Sequence, residues 1–393
     1  MADVYIKKGE GRSFKSGGMW FYDNEIDRIE GKFENGDIID VLDFDGYYLG
    51  RGFINTNSKI TIRILTRHKD VNIDREFIKK RVKDAVKYRL DTVDTSSCRL
   101  IFGEADYLPG IVIDKFSDIL VVESLALGID RLKADIIECL KEELASHGMN
   151  IRGVYERSDA KVRLNEGMER VKGFIGEPFD TKVEIVENGV KYMVNVADGQ
   201  KTGFFIDQRE NREPVRRYAK GRTVLNTFCY TGGFSVYALS GGAVQVDSVD
   251  SSERAVQLAA ENIALNFGEQ APHRAIAQDA FEYLRGMDGR YDLIILDPPA
   301  FAKHHKVLGN ALQGYKRLNT QAFRQIKPGG ILFTFSCSQA VNREQFRMAV
   351  FSAAAIAGRR VRILHQLTQP ADHPINIYHP EGEYLKGLVL YVE

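Results

Sequence analysis

The sequence has few of the residues that mark secreted or metal-bound proteins. Its 393 residues include four cysteines, Cys98, Cys139, Cys229 and Cys337, and no Cys-x-x-Cys pair. Four scattered cysteines do not make the disulfide framework of a small secreted domain. Without a Cys-x-x-Cys pair a structural zinc site is not expected, and we predict no metal. Reduced thiols favour a cytoplasmic location.

Long apolar runs are also missing. No stretch approaches the roughly 18 consecutive apolar residues of a transmembrane helix. The first eight residues, Met-Ala-Asp-Val-Tyr-Ile-Lys-Lys, lack the apolar core of a signal peptide. Together these absences predict a cytoplasmic protein with no membrane partner.

Net charge is absent too, because 54 basic residues balance 54 acidic ones. A nonspecific nucleic-acid binder would carry a positive excess. The charge is unevenly distributed, however: residues 51–90 hold twelve Lys/Arg against four Asp/Glu, and residues 300–330 hold six Lys/Arg and no acid. These two segments are consistent with one face that meets a polyanion, or with solvated helix surfaces balanced by neighbouring acids.

Periodicity and turn signals divide the chain into three predicted domains. Residues 1–70 alternate β-branched residues between glycine turns, which suggests a small β-barrel. Residues 71–180 open with a charged helix from Asp74 and continue as mixed α+β sequence. Residues 181–393 begin with a hairpin around Asn188-Gly189 and alternate strand and helix from about residue 210. The last domain is therefore predicted to be α/β, a mostly parallel sheet covered by helices on both faces.

The individual elements of this sheet can be placed from the sequence. Short apolar runs predict the strands, and the longer amphipathic segments between them predict the helices. The predicted strands are 223–228, 244–250, 273–277, 292–297, 331–336 and 361–367, and the predicted helices are 234–240, 253–267, 280–285, 311–326 and 344–357.

A glycine turn follows the first of these strands. Gly232 and Gly233 lie in the segment Leu225-Asn-Thr-Phe-Cys-Tyr-Thr-Gly-Gly-Phe-Ser235, where glycine lets the backbone approach a ligand. Asp250 ends the next strand, where an acid can bind ribose hydroxyls. The turn is not Gly-x-Gly-x-x-Gly, which disfavours NAD and favours a nucleoside without a pyrophosphate. A tight turn beside a solvated aspartate is the alternative interpretation.

Two further strands end in residues that carry chemistry. Asp297 ends an apolar strand and precedes two prolines, which restrict the backbone and make the turn rigid. Asp279 follows the preceding strand, within reach of an adenine amino group. Cys337 ends the next strand, where a thiol of lowered pKa would be a nucleophile. The alternative is that Cys337 is a small buried hydrophobic residue. If only its position at the end of a strand is considered, this alternative is favoured.

Together these motifs resemble class I S-adenosylmethionine-dependent methyltransferases. Longer segments are similar to the ribosomal RNA large subunit methyltransferase I family, the PUA-domain 5-methylcytosine enzymes. The resemblance implies an N-terminal PUA barrel that binds RNA, a small α+β central domain and a C-terminal Rossmann-like methyltransferase domain. It runs from residue 1 to 393, although the loop Ser16–Trp20 departs from the usual Gly-His-Pro-Trp. The segments that carry it are 198–212, 103–110, 155–159, 371–374 and 383–386.

The resemblance implies methylation of cytosine C5 in large-subunit (23S) ribosomal RNA, with S-adenosylmethionine as cofactor. Cys337 becomes the covalent nucleophile and Asp297 the residue that binds the base. Ala300 stands where many related enzymes have a second cysteine, so the chain resembles the one-cysteine arrangement. The implied cofactor-binding residues are Asn226, Phe228, Tyr230, Thr231, Gly232, Gly233, Asp250, Ser251, Asp279, Asp297, Lys201, Thr202, Gly203, Gln208 and Arg209.

The basic segment that follows Asp297 suits a track for RNA phosphates beside a base extruded from its stack. A homodimer is also implied by the resemblance. Two alternatives remain open: methylation of an exocyclic amine such as guanine N2, which needs no thiolate, and a noncatalytic RNA-binding or ribosome-assembly factor. The residues expected to contact RNA are Pro298, Pro299, Lys303, Lys306, Lys316 and Arg317.

Overall fold

The computed structural model describes residues 1–302 and 307–393. The chain folds into two compact units. The first unit consists of Met1–Ile185, Val194–Ile206 and Ala371–Gly382, and the second of Val186–Met193, Asp207–Pro370 and Glu383–Glu393. The first unit thus holds both the β-rich N-terminal segment and the mixed segment that follows it.

The N-terminal part of the first unit is a six-stranded sheet, as the β-rich pattern predicts. Its strands lie in the order β2-β6-β5-β4-β1-β3, and the β1–β4 pair is parallel. Apolar residues that alternate along the strands, among them Val4, Phe21 and Ile62, are completely buried. The elements are β1 (Asp3–Ile6), α1 (Arg12–Lys15), β2 (Trp20–Tyr22), β3 (Ile26–Glu30), β4 (Ile38–Leu42), β5 (Tyr48–Ile54) and β6 (Ile60–Thr66).

A five-stranded sheet and two long helices complete most of the first unit. The predicted charged helix is present as α2, and Asp74 is its N-cap, whose carboxylate accepts a hydrogen bond from the Phe77 N–H. Apolar residues of both long helices share one core with the sheet. The sheet order is β11-β10-β9-β8-β7. The elements are α2 (Arg75–Thr92), β7 (Ser97–Phe102), β8 (Ile111–Phe116), β9 (Ile119–Ser124), α3 (Leu127–Ser146), β10 (Gly153–Ser158), α4 (Val162–Asn165) and β11 (Val171–Ile175).

The predicted hairpin is present as β12 (Lys182–Glu187) and β13 (Val190–Asn195). Asn188 and Gly189 both have positive φ, at 48° and 81°. Two consecutive residues with positive φ are the signature of the tight turns that join twisted strands. The Asn-Gly pair is thus confirmed as the turn.

The second unit is built on a seven-stranded sheet, and all six strands predicted for it are present. The strand order is β16-β15-β14-β17-β18-β20-β19. In this order, each neighbouring pair from β16 as far as β18 is parallel. The helices and strands are α5 (Arg209–Tyr218), β14 (Thr223–Thr227), α6 (Gly233–Ser240), β15 (Gln245–Asp250), α7 (Glu253–Phe267), β16 (His273–Ala277), α8 (Ala280–Gly286), β17 (Leu293–Leu296), α9 (Leu308–Gln325), β18 (Gly330–Ser336), α10 (Arg343–Ala357), β19 (Val361–Thr368) and β20 (Lys386–Val392).

Helices cover both faces of this sheet. One face packs against α8, α9 and α10, and the other against α5 and α6. The central strand β17 is buried along its whole length, which is why it reads as a continuous apolar run. Among the described residues, no helix is long and apolar enough to cross a membrane.

Candidate active site

The predicted site residues of the second unit follow parallel strands of one sheet. β14, β15, β16, β17 and β18 run in the same direction. Their carboxyl ends therefore share one edge, where ligands of open α/β sheets bind. Asp250, Asp279, Asp297 and Cys337 all lie at or just beyond these ends.

The loop after β14 has an unusual backbone. Phe228 and Tyr230 adopt positive φ values of 55° and 46°, and Gly232 follows at 76°. A Cβ atom on Gly232 would lie 2.9 Å from the Cβ of Ala259 on α7. Gly232 is thus required both by its left-handed conformation and by the close approach of α7.

Asp250 is held by this loop. Its Oδ2 accepts a hydrogen bond from the Tyr230 N–H at 3.1 Å, and its Oδ1 accepts one from the Ser252 N–H at 3.0 Å. Nearby in sequence, Asn226 Nδ2 donates to Ser235 Oγ at 2.9 Å. The Oδ1 of Asn226 is buried and has no hydrogen-bond partner among the described residues. A fixed carboxylate and an unused acceptor suit the hydroxyl and ammonium donors of S-adenosylmethionine.

The other residues predicted around the cofactor have local roles. Asp279 is exposed and caps α8, because its Oδ1 accepts from the Glu282 N–H at 3.0 Å. Thr231 is buried, and its carbonyl accepts from Asn262 Nδ2 at 3.0 Å. Ser251 is exposed beside Asp250, and Gly233 begins α6. The capping role of Asp279 is one that the sequence analysis did not identify.

Asp297 is oriented by α5. Gln208, the residue before this helix, donates from Nε2 to both carboxylate oxygens of Asp297 at 3.0 Å. Asn211 Nδ2 in turn donates to Gln208 Oε1 at 2.7 Å. Gln208 is predicted to bind the cofactor, and the structure places its amide on the Asp297 carboxylate. Arg209 is buried at the start of α5, with Nε 3.8 Å from a carboxylate oxygen of Glu210.

Cys337 lies beside the Asp-Pro-Pro turn. The two strands that precede them, β17 and β18, are paired in parallel, as the resemblance implies. The Cys337 Sγ lies 3.8 Å from the carbonyl oxygen of Pro298. Pro298 is buried and Pro299 is exposed. Cys337 is partly exposed, whereas the other three cysteines are buried.

Three residues around Cys337 were missed as site residues. The Ser338 carbonyl accepts a hydrogen bond from Lys386 Nζ at 2.7 Å. The Ser338 Oγ pairs with the Tyr315 hydroxyl at 2.8 Å and accepts from the Ala302 N–H at 3.2 Å. Burial lowers the pKa of Lys386 to about 8. The segment 383–386 contributes to the family resemblance, but its sequence does not say that Lys386 is buried beside Cys337.

Three predicted cofactor residues belong to the first unit. The Thr202 hydroxyl donates to Asp114 Oδ2 at 2.6 Å. Lys201 is exposed, and its Nζ lies 4.6 Å from the ring centroid of Phe205. Gly203 has a φ of 134°. These contacts are made within that unit, and a role toward the cofactor stays a prediction.

Two of the residues predicted to contact RNA lie on α9. Lys316 is partly exposed and Arg317 is exposed. Lys303 and Lys306 lie outside the described residues. In residues 1–302 and 307–393, no group of three or more His, Cys, Asp or Glu residues could hold a metal ion.

Comparison with known proteins places this geometry in a family. Residues 160–376 match the model of an S-adenosylmethionine-dependent methyltransferase domain, and residues 4–67 match that of a PUA-like domain. The ribosomal RNA large subunit methyltransferase I of Tolumonas auensis is 42% identical, with 98% of each chain covered. The protein of that name from Aeromonas hydrophila is 39% identical, with 99% of each chain covered.

Solved structures show the same fold. SMU.776, assigned as a methyltransferase and solved in complex with SAH, has a TM-score of 0.84 at 22% identity, with both chains fully covered. A protein from Streptococcus mutans, assigned as a SAM-dependent methyltransferase, has a TM-score of 0.82 at 22% identity and the same coverage. The chain therefore belongs to the ribosomal RNA large subunit methyltransferase I family, with a PUA-like domain at its N-terminus and S-adenosylmethionine as its methyl donor.

Proposed function

We propose that this chain methylates C5 of a cytosine in large-subunit (23S) ribosomal RNA through a covalent adduct with Cys337. The names of its relatives support the class of RNA. The observation that carries the chemistry is the position of Cys337, the only partly exposed cysteine, against the Asp-Pro-Pro turn. A methyltransferase for an exocyclic amine would have no use for a thiol at this place.

The sulfur of Cys337 has one chemical task. Cytosine C5 is a poor nucleophile, and addition of the thiolate to C6 moves the C5–C6 π electrons onto C5. S-Adenosylmethionine, when bound, would supply an electrophilic methyl group to that carbon and leave as S-adenosylhomocysteine. Covalent catalysis of this kind divides one difficult step into easier ones. After methylation a base removes the C5 proton, the C5–C6 double bond reforms and the C6–S bond breaks, which returns the thiolate to Cys337.

Asp297 and Gln208 have a binding task. Asp297 follows β17 and Cys337 follows the neighbouring strand β18, and the Asp297 carboxylate is fixed by the Gln208 amide. A carboxyl group there can bind the N3/N4 edge of cytosine: an oxygen accepts from the N4 amino group, and in the protonated form the O–H donates to N3, where negative charge develops during addition of the sulfur. A preorganised polar group is effective because it does not reorganise during the reaction.

RNA would reach this edge of the sheet across α9. Lys316 and Arg317 on α9 would contact phosphates, and the PUA-like domain would add contacts that position the RNA rather than read its sequence. The homodimer and the cytoplasmic location stay predictions.

A labelling experiment tests the proposal. Unmodified large-subunit ribosomal RNA is incubated with methyl-labelled S-adenosylmethionine and wild-type, Cys337→Ala or Cys139→Ala protein, and the digested nucleosides are separated. Cys139 is a matched control because it is a buried cysteine on α3. We expect labelled 5-methylcytidine from the wild type and the control, and none from Cys337→Ala. Label in another nucleoside, or full activity of Cys337→Ala, contradicts the proposal.

A further inference from the structure

Lys386 is the residue of the antiparallel strand β20 that lies nearest to Cys337 in register. Its Cα is paired with that of Ser336, and its Nζ donates to the carbonyl of Ser338 at 2.7 Å. Ser336 and Ser338 flank Cys337 in sequence. The side chain of Lys386 therefore extends along the segment that carries the thiol.

The ammonium group of Lys386 is buried without a carboxylate partner. The residue is 2% exposed, and within the described parts of the chain no acidic residue forms an ion pair with it. Glu383, the nearest acid in sequence, pairs instead with Arg343 at 2.7 Å. A buried charge without a counter-charge is strongly disfavoured. Burial accordingly lowers the pKa of Lys386 to about 8, and attraction to Cys337 is the largest opposing influence.

Two other described groups near the thiol, Tyr315 and Arg343, add little net positive charge. Burial raises the pKa of Tyr315, whose hydroxyl is bonded to Ser338, so this phenol stays neutral near pH 7. Arg343 is exposed and is neutralised by Glu383. Asp297, which follows the neighbouring strand β17, adds no positive charge. Within residues 1–302 and 307–393, Lys386 is thus a buried cation, held against the segment that carries Cys337, that can balance a negative sulfur.

We propose that Lys386 is a positioning residue whose ammonium group favours the thiolate form of Cys337. This inference rests on the proposed function, because it matters to catalysis only where Cys337 attacks the base. Attraction between the two groups is reciprocal: the thiolate favours the ammonium ion, and the ammonium ion favours the thiolate. Thiolates of low pKa in other proteins are stabilised by neighbouring cations in the same way.

The thiolate can be measured directly on the full-length protein without RNA or methyl donor. The rate of alkylation of Cys337 by iodoacetamide is followed by peptide mass spectrometry from pH 5.5 to 9.5. We compare wild type with Lys386→Met, which removes charge and donor, Lys386→Gln, which keeps a donor but no charge, and Lys386→Arg, which keeps the charge. We expect both neutral variants to react about tenfold more slowly at pH 7, with a midpoint about one pH unit higher. Lys386→Arg should stay close to wild type.

The outcomes separate charge from structure. A purely structural role would lower the melting temperature and leave the midpoint of alkylation in place, so unchanged midpoints in Lys386→Met and Lys386→Gln overturn the proposal. If neither neutral variant folds, the wild-type midpoint decides: a value at or above about 8.5, that of an ordinary thiol, also overturns it.

The methyltransferase assay gives a second reading. Where Cys337 is the nucleophile, the acid limb of the pH profile of kcat/KM moves upward in Lys386→Gln in parallel with the alkylation midpoint. If instead Cys337→Ala keeps full activity, the proposed function fails, while the alkylation midpoints still report whether Lys386 controls the thiol.

Discussion

The amide of Gln208 donates from one nitrogen to both carboxylate oxygens of Asp297, at 3.0 Å each. Asn211 fixes the direction of this amide, because its Nδ2 donates to Gln208 Oε1 and leaves the NH₂ group facing Asp297. Gln208 and Asn211 are both buried. The start of α5 is thus coupled to the turn after β17, and the carboxylate of Asp297 has a single preferred orientation.

This contact predicts that Gln208 acts through Asp297. Removal of a donor to a charged group costs about 1.5–3 kcal/mol, so Gln208→Ala should lower kcat by about 10- to 100-fold. Gln208→Glu should lower it further, since it places a second carboxylate against Asp297. Steady-state methylation assays measure both, with the exposed Gln257→Ala of α7 as a control that retains wild-type kcat. An effect on the KM for the methyl donor alone would instead support direct binding of the cofactor by Gln208.

The glycine turn offers a test of backbone geometry. Gly232 and Gly358 have nearly the same left-handed conformation, with φ and ψ of 76° and 21° in the first and 66° and 27° in the second. Only Gly232 has a neighbour, Ala259, in the space that a Cβ would occupy. Gly358→Ala should cost about 1 kcal/mol of unfolding free energy, and Gly232→Ala about 1–3 kcal/mol more, since Ala259 must move. Equal losses in urea unfolding would show that the approach of α7 is not tight.

The sequence was sufficient for the elements whose patterns are local. The hairpin at Asn188-Gly189 and the parallel strands, such as His273–Ala277, can be predicted because turn residues and apolar runs in the local sequence indicate them. Strand β20 was not predicted. It lies between β18 and β19 and runs antiparallel to them, which breaks the strand–helix alternation on which the prediction depended.

The residues of the candidate site also divide into those that local sequence indicates and those that it does not. Strand ends gave Asp250, Asp297 and Cys337, because a buried strand followed by a polar residue is visible in sequence. Contacts between distant segments were not visible: Lys386 reaches Ser338 only through the pairing of β20 with β18, and Gln208 reaches Asp297 across 89 positions. Side chains of this kind are brought together by tertiary packing alone.

We expect the folded protein to lose stability in mild acid because of the buried side chain of His273. Its Nε2 lies 2.8 Å from Ser248 Oγ, and burial lowers its pKa to about 4, against about 6.5 when unfolded. Between these values the unfolded chain binds more protons, so stability is complete above about pH 6.5 and falls as the pH drops toward 4. We expect a loss of about 1–2 kcal/mol from this group at pH 5. Urea unfolding at pH 7.5 and pH 5 checks it: His273→Gln should be less sensitive to pH than wild type, whereas Gln278→Ala should match wild type.

Asp250 is expected to determine the affinity for the methyl donor. Both of its oxygens are held by backbone N–H groups, so Asp250→Asn would turn an amide NH₂ toward one of those donors and disturb the loop. Loss of the charged acceptor should weaken binding of S-adenosylhomocysteine by about 10- to 100-fold. Isothermal titration calorimetry measures this. Asp288→Asn, on the surface and in an ion pair with Arg290, is the control. An unchanged Kd for Asp250→Asn would remove Asp250 from the cofactor site.

Asp279 has two candidate roles that one substitution can separate. As the N-cap of α8 it accepts from the Glu282 N–H, and a serine can replace it there at little cost in stability. A serine is too short to reach an adenine amino group as well. If Asp279 also binds the cofactor, Asp279→Ser should weaken binding of S-adenosylhomocysteine by about 3- to 10-fold, the effect of one hydrogen bond, without a change in melting temperature. Asn342→Ser alters the N-cap of α10 in the same manner, and it should change neither the affinity for S-adenosylhomocysteine nor the melting temperature. Wild-type affinity of Asp279→Ser in calorimetry would mean that Asp279 serves the helix alone.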